Sequence, residues 1–119
     1  MKMMKFGITY NQGEIVIVPF PFSDLSGIRK RSVLIISKNE DNIVFDDIIT
    51  CGITSNIKNV KYSVEITNDN LEKGEIPVKS RIKVDKLFTL NQSIVKKKIA
   101  KIDKITLDKV KEEFCSLVM

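Results

Sequence analysis

The chain predicts a mainly β protein, a small closed barrel of short strands covered by one C-terminal helix. Three observations carry this. Short apolar runs rich in Val, Ile and Phe recur as far as Ile99, and turn residues separate them. A helical apolar stripe appears only near the C-terminus, where Leu107, Val110, Phe114 and Leu117 share one side of 106–118. At 119 residues and 43% apolar content, the chain makes one domain, 1–119, with one modest core.

Residues 1–12 read as an N-terminal extension, basic but without the apolar stretch of a signal peptide. Glu14–Pro19 is the first strand. Pro19 and Pro21 lie two apart, so their missing N–H groups fall on the same side of an extended chain. The strand must leave the sheet or lie at its edge there. Phe20 and Phe22 share the other face; Phe20 is read as a core plug, while Phe22, beside a polar loop, stays open. Ser23, Asp24, Ser26 and Gly27 break the run. A polar loop carrying Arg29, Lys30 and Arg31 leads into the second strand, Arg31–Ser37.

Ile43–Cys51 and Lys61–Ile66 are the third and fourth strands, with Asn68-Asp69-Asn70 and Lys73-Gly74 as turns. Arg81–Leu87 is a fifth, in which Arg81, Lys83 and Asp85 alternate with Ile82 and Val84. That alternation suits an anion-facing strand and the solvated face of a half-buried strand equally well. A short strand follows near Val95–Ile99. Thr106 caps the helix, and Asp108 in its first turn favours the positive end of the dipole.

Charge leans basic: 20 Lys and Arg against 15 Asp and Glu, net +5. This supports an anionic partner without proving one. Between Lys79 and Lys104, basic residues outnumber acidic ones nine to two; Lys96 to Lys98 are read as solvated surface. The absence of histidine argues against a zinc site and a Cys/His catalytic pair. Cys51 and Cys115 have no metal-binding spacing and are read as buried free thiols. No apolar run reaches membrane-spanning length. The expectation is a cytoplasmic protein with no membrane partner, no metal and no cofactor.

The run G-E-I-V-x-V-x-F-P-F-x-D-x-x-G over 13–27, a basic cluster, and Val33-Leu34-Ile35-Ile36-Ser37 together resemble the MazF/PemK family of toxin endoribonucleases. Two further blocks fit that resemblance in the family's order: Ile53-Thr54-Ser55-Asn56, and Ser80 to Leu87. It covers nearly the whole chain, from about Gly13 to the C-terminal helix. It implies an SH3-like barrel, a homodimer, single-stranded RNA as substrate, and a small acidic antitoxin lying across the groove. The implied reaction is sequence-specific, metal-independent RNA cleavage by 2′-hydroxyl attack.

Carried over position by position, Arg31 matches the family's catalytic arginine and Thr54 its catalytic threonine, with Ser55 a neighbouring hydroxyl. A planar guanidinium fits two phosphate oxygens, and a hydroxyl beside it completes a cradle. Without the resemblance, Thr54-Ser55-Asn56 reads as a strand passing into a turn. Arg29 and Lys30 are taken as RNA contacts, as are Phe22 and Ser23 beside them. In the third block, Ser80, Arg81, Lys83 and Lys86 are the further RNA-binding candidates. The chain departs from the family at Ser32, where proline usually follows the loop arginine. It departs again at Val78 and Ser80, where some members carry an Arg and an Asp as acid and base. A different class, a non-catalytic nucleic-acid-binding barrel, predicts RNA binding without cleavage. A toxin of the same fold that poisons DNA gyrase ranks last, because the tryptophan carrying that contact has no counterpart here.

Overall fold

The computed structural model describes residues 9–21 and 28–119. The expectations for Phe22, Ser23 and the ring of Phe20, and for most of the N-terminal extension, fall outside the described part.

Seven antiparallel strands form one sheet: β1 (Glu14–Pro21), β2 (Ile28–Ile35), β3 (Asp47–Thr54), β4 (Ser63–Ile66), β5 (Leu71–Gly74), β6 (Ser80–Asn91) and β7 (Lys97–Ile102). Across the sheet they run β4-β6-β3-β2-β1-β7-β5. A six-residue helix, α1 (Asn39–Val44), precedes β3, and α2 (Lys104–Val118) ends the fold. The expected barrel takes the form of a curled half-barrel with β4 and β5 at its two edges. Helix α2 packs against β4 and β6.

The continuous apolar runs of β1 and β2 have a simple cause: both faces are covered. Inside the curl, Ile15, Leu34, Cys51, Ile82 and Ile102 pack with Val110 of α2. On the outer face, Val16, Val18, Val33, Ile35 and Ile48 lie beneath Tyr10, Leu90, Ile94 and Val95. Leu34 is fully buried, and truncation of such a side chain costs about 2–5 kcal/mol.

The prolines behave as expected. The Ile17 carbonyl, of the same parity, accepts from Lys96 N–H at 2.8 Å, so that side of β1 faces β7. Pairing with β7 covers only Glu14 to Ile17, and Pro19 and Pro21 lie past its end.

Several expectations are corrected. Ile43–Cys51 is not one strand: 39–44 is helical, and the strand runs from Asp47 to Thr54. Buried Gln92 holds this helix down, donating to the Asn42 and Phe45 carbonyls at 2.8 and 3.1 Å. Lys73-Gly74 is no turn but the end of β5. Gly74 has φ +73°, and a Cβ there would lie 2.1 Å from the Ile99 carbonyl. Strand β6 runs on to Asn91, past the expected end at Leu87, and the last strand begins at Lys97, not Val95. Asp103, not Thr106, caps α2: its Oδ1 accepts the Thr106 N–H at 2.8 Å. Those bonds hold the Asp103 carboxyl below its usual range. Asp108 lies past the first turn and pairs with Lys104 at 3.3 Å. Cys51 is buried, but Cys115 is exposed.

Candidate functional site

Register brings the two candidate catalytic residues together. Strands β2 and β3 pair from Ile35↔Thr50 to Val33↔Gly52. Arg31 and Thr54 lie two residues beyond the last of these pairs, on the two neighbouring strands. Both line one groove of about 490 Å³. Arg31 and Ser32 are themselves paired, with Val18 and Ile17 of β1. The ladder therefore holds Arg31 extended, the conformation that a following proline would otherwise impose.

A bulge in β6 supplies the opposite wall. Cys51 pairs with Leu87, yet the next residue, Gly52, pairs with Lys83, so Val84, Asp85 and Lys86 bulge out between. Val84 turns into the core while Lys83 and Lys86 line the groove. A Cβ on Gly52 would touch Lys86 Cβ and the Phe88 ring at 3.6 Å, so these two side chains cover its bare backbone.

The third wall is the segment after β3, which contributes Asn56, Lys58 and Val60. Thr54 Oγ1 accepts the Asn56 N–H at 3.1 Å, and Asn56 Oδ1 accepts the Lys58 N–H at 3.1 Å. This segment ends at Tyr62, whose φ of +57° is left-handed. Arg81 braces it from behind: Nε donates to Ser63 Oγ at 2.9 Å and a terminal nitrogen to Asn59 Oδ1 at 3.2 Å. Ser63 in turn donates to the Val60 carbonyl at 2.6 Å. Arg81 also lies 3.7 Å from Glu65.

Among the described residues, Arg31, Lys58, Lys83 and Lys86 give the groove four cations, and no carboxylate lines it. Asp85 touches Lys83 only at 4.0 Å. Such a surface favours a polyanion with several charges.

Of the expected site residues, Arg31, Thr54, Lys83 and Lys86 share this groove. Ser55 is adjacent and exposed. Arg29 and Lys30 are exposed on β2, opposite Phe20 and Pro19, outside the lining. Ser80 and Arg81 are buried, with Ser80 Oγ donating to the Val78 carbonyl at 3.0 Å. Ser32, Asn56, Lys58 and Phe88 line the groove and were not anticipated. The Thr-x-Asn-x-Lys spacing was a signal for two of them, since alternate residues of an extended segment share a side.

Comparison with known proteins identifies the family and the fold. Residues 11–118 match the profile of the PemK-like, MazF-like toxins of type II toxin–antitoxin systems, and the chain belongs to that family. Among solved structures, MazE–MazF from Deinococcus radiodurans superposes with a TM-score of 0.75 at 20% identity, covering 93% of this chain and 97% of that one. An endoribonuclease from a mycobacterial species gives 0.74 at 16% identity, covering 94% and 93%. A mycobacterial endoribonuclease in complex with its cognate antitoxin gives 0.71 at 16% identity, covering 90% and 92%. At these identities the likeness establishes the fold. No match was found among curated proteins.

Proposed function

We propose that this chain is a toxin endoribonuclease that cleaves single-stranded RNA at preferred sequences, without a metal, and is neutralised by a small acidic antitoxin. The observation that carries this reading is the shared groove of Arg31 and Thr54, whose described lining holds three lysines and no carboxylate.

The reaction follows from that inventory. The substrate's 2′-oxygen attacks the adjacent phosphorus and the 5′-oxygen of the next nucleotide leaves. The products are a 2′,3′-cyclic phosphate and a 5′-hydroxyl. Arg31 and the Thr54 hydroxyl stabilise charge on the non-bridging oxygens. Lys58, Lys83 and Lys86 hold the flanking phosphates, which fixes the attacking oxygen in line with the leaving one. Among the described residues no groove side chain is a carboxylate, and the chain has no histidine, so in this reading the 2′-hydroxyl proton passes to water and water protonates the leaving oxygen. Without a general base, about 10²- to 10⁴-fold of rate is forgone. Slow cleavage suffices for a toxin, because one cut inactivates a message.

An acidic antitoxin segment laid in the same groove would satisfy the same cations and displace RNA. The Deinococcus MazE–MazF and mycobacterial toxin–antitoxin complexes support this partner class. A homodimer is the assembly proposed for the free toxin.

The test is an RNA with one preferred cleavage site and its counterpart carrying a single 2′-deoxynucleotide at the attacking position. Cleavage of the first in EDTA, with cyclic-phosphate ends, and an intact second support the reading. Cleavage of both would rule out 2′-hydroxyl attack. Binding of both without cleavage would make the chain a nucleic-acid-binding barrel.

A further inference from the structure

The Thr54–Lys58 segment fixes more than its own backbone. Each alternate side chain accepts the N–H two residues on: Thr54 from Asn56, then Asn56 from Lys58. These three residues line the groove, while Ser55 and Ile57 are exposed outside it.

The second of these bonds determines the orientation of the Asn56 carboxamide. A backbone N–H can only donate, so the atom facing Lys58 N must be the amide oxygen. The NH₂ group therefore points the other way, and it has no acceptor among the described residues. Hydroxyls such as Ser32 and Thr54 can rotate to give or take a proton. The Asn56 oxygen keeps a second lone pair, but that atom is turned toward the Lys58 backbone, and the end turned away from it is the NH₂ donor. The same groove is lined by Ile53, Val60 and Phe88, which offer apolar surface on which a base can lie. A fixed neutral donor above an apolar floor is suited to reading the edge of an unstacked base.

We propose that Asn56 is a specificity-determining residue: its NH₂ reads a keto oxygen, O4 of uracil or O6 of guanine, on a base flanking the scissile phosphate. Cytosine and adenine present an amino donor at the corresponding position, and two donors cannot pair. The inference rests on the nuclease reading above and adds a base class to it.

The test compares wild type, Asn56→Asp and Asn56→Ala on an RNA pool randomised across the cut, with the cleaved ends sequenced. Asp keeps an oxygen for the Lys58 N–H but replaces the donor with an acceptor. Its added charge slows all cleavage alike, so the readout is the ratio between bases within each enzyme. Wild type should favour uracil or guanine at one flanking position by roughly tenfold. Asn56→Asp should shift that position toward cytosine or adenine, and Asn56→Ala should flatten it. An unchanged preference in an Asn56→Asp enzyme that still cuts overturns the inference and leaves the nuclease reading standing. Should Asn56→Asp fail to fold, an unchanged preference in Asn56→Ala overturns it equally. Failure of wild type to cut any member of the pool defeats both readings together.

Discussion

Arg31 and Arg81 show how two cations of one small protein come to different uses. Arg31 is exposed at the mouth of the groove, held by a strand ladder. Arg81 is only 8% exposed and binds Ser63 and Asn59. Replacing Arg31 with Ala should leave the melting temperature nearly unchanged while cleavage falls by about 10²- to 10³-fold, as for loss of one transition-state donor. An equal fall accompanied by loss of the fold would assign Arg31 a structural role. The cysteines give a second prediction at this scale. Burial pushes the Cys51 thiol up to about 12, whereas Cys115 is exposed. A thiol reagent near neutral pH should label one cysteine in the native protein and the other only on unfolding. Peptide mapping of the labelled site checks the assignment to Cys115.

Among the elements, those with strong apolar patterns were legible and those set by distant partners were not. The first two strands and the C-terminal helix follow from their apolar residues, because buried faces impose a period that sequence displays, but β2 starts at Ile28 and takes in Arg29 to Arg31, which were expected on a loop. Helix α1 was not legible. Ile43, Val44 and Phe45 look like the start of a strand, but the buried residue of this helix is Asn42, held by Ser37 and Tyr10. Strand β5 was missed because Glu72 and Lys73 have the charged character of an edge strand. For the site, Arg31 and Thr54 were named through a family resemblance. For Asn56 and Lys58 the signal was the Thr-x-Asn-x-Lys alternation, whereas Phe88 needed the β6 bulge to be seen.

Two predictions belong to the elements. Asp103→Ala should destabilise the protein by about 1 kcal/mol through loss of the α2 cap. Because the folded carboxyl is held low, its contribution is complete above the unfolded value of about 3.9. It fades as pH falls through the lower folded value. Denaturant titrations should therefore separate wild type from Asp103→Ala at pH 7 and bring them together in strong acid. Gly74→Ala should cost more than about 1 kcal/mol, since both its φ and the Ile99 carbonyl forbid a side chain. A neutral effect would mean that β5 does not pair with β7 in solution.

For the whole molecule, the groove concentrates cations from two separate strands, β2 and β6, and from the loop after β3. If Arg31, Lys58, Lys83 and Lys86 each meet a phosphate, the logarithm of RNA affinity should fall with the logarithm of salt at a slope of about −3. Each Lys→Ala change should reduce that slope by roughly 0.7. A slope near zero would show that the groove does not bind the RNA backbone.

The most direct measurement is cleavage of a long unstructured RNA by the purified protein in EDTA, beside Arg31→Ala and Thr54→Ala. The groove as described predicts discrete fragments with 2′,3′-cyclic phosphate and 5′-hydroxyl ends from wild type, and little or none from either variant. Intact RNA with wild type, or equal fragments from all three proteins, would contradict it.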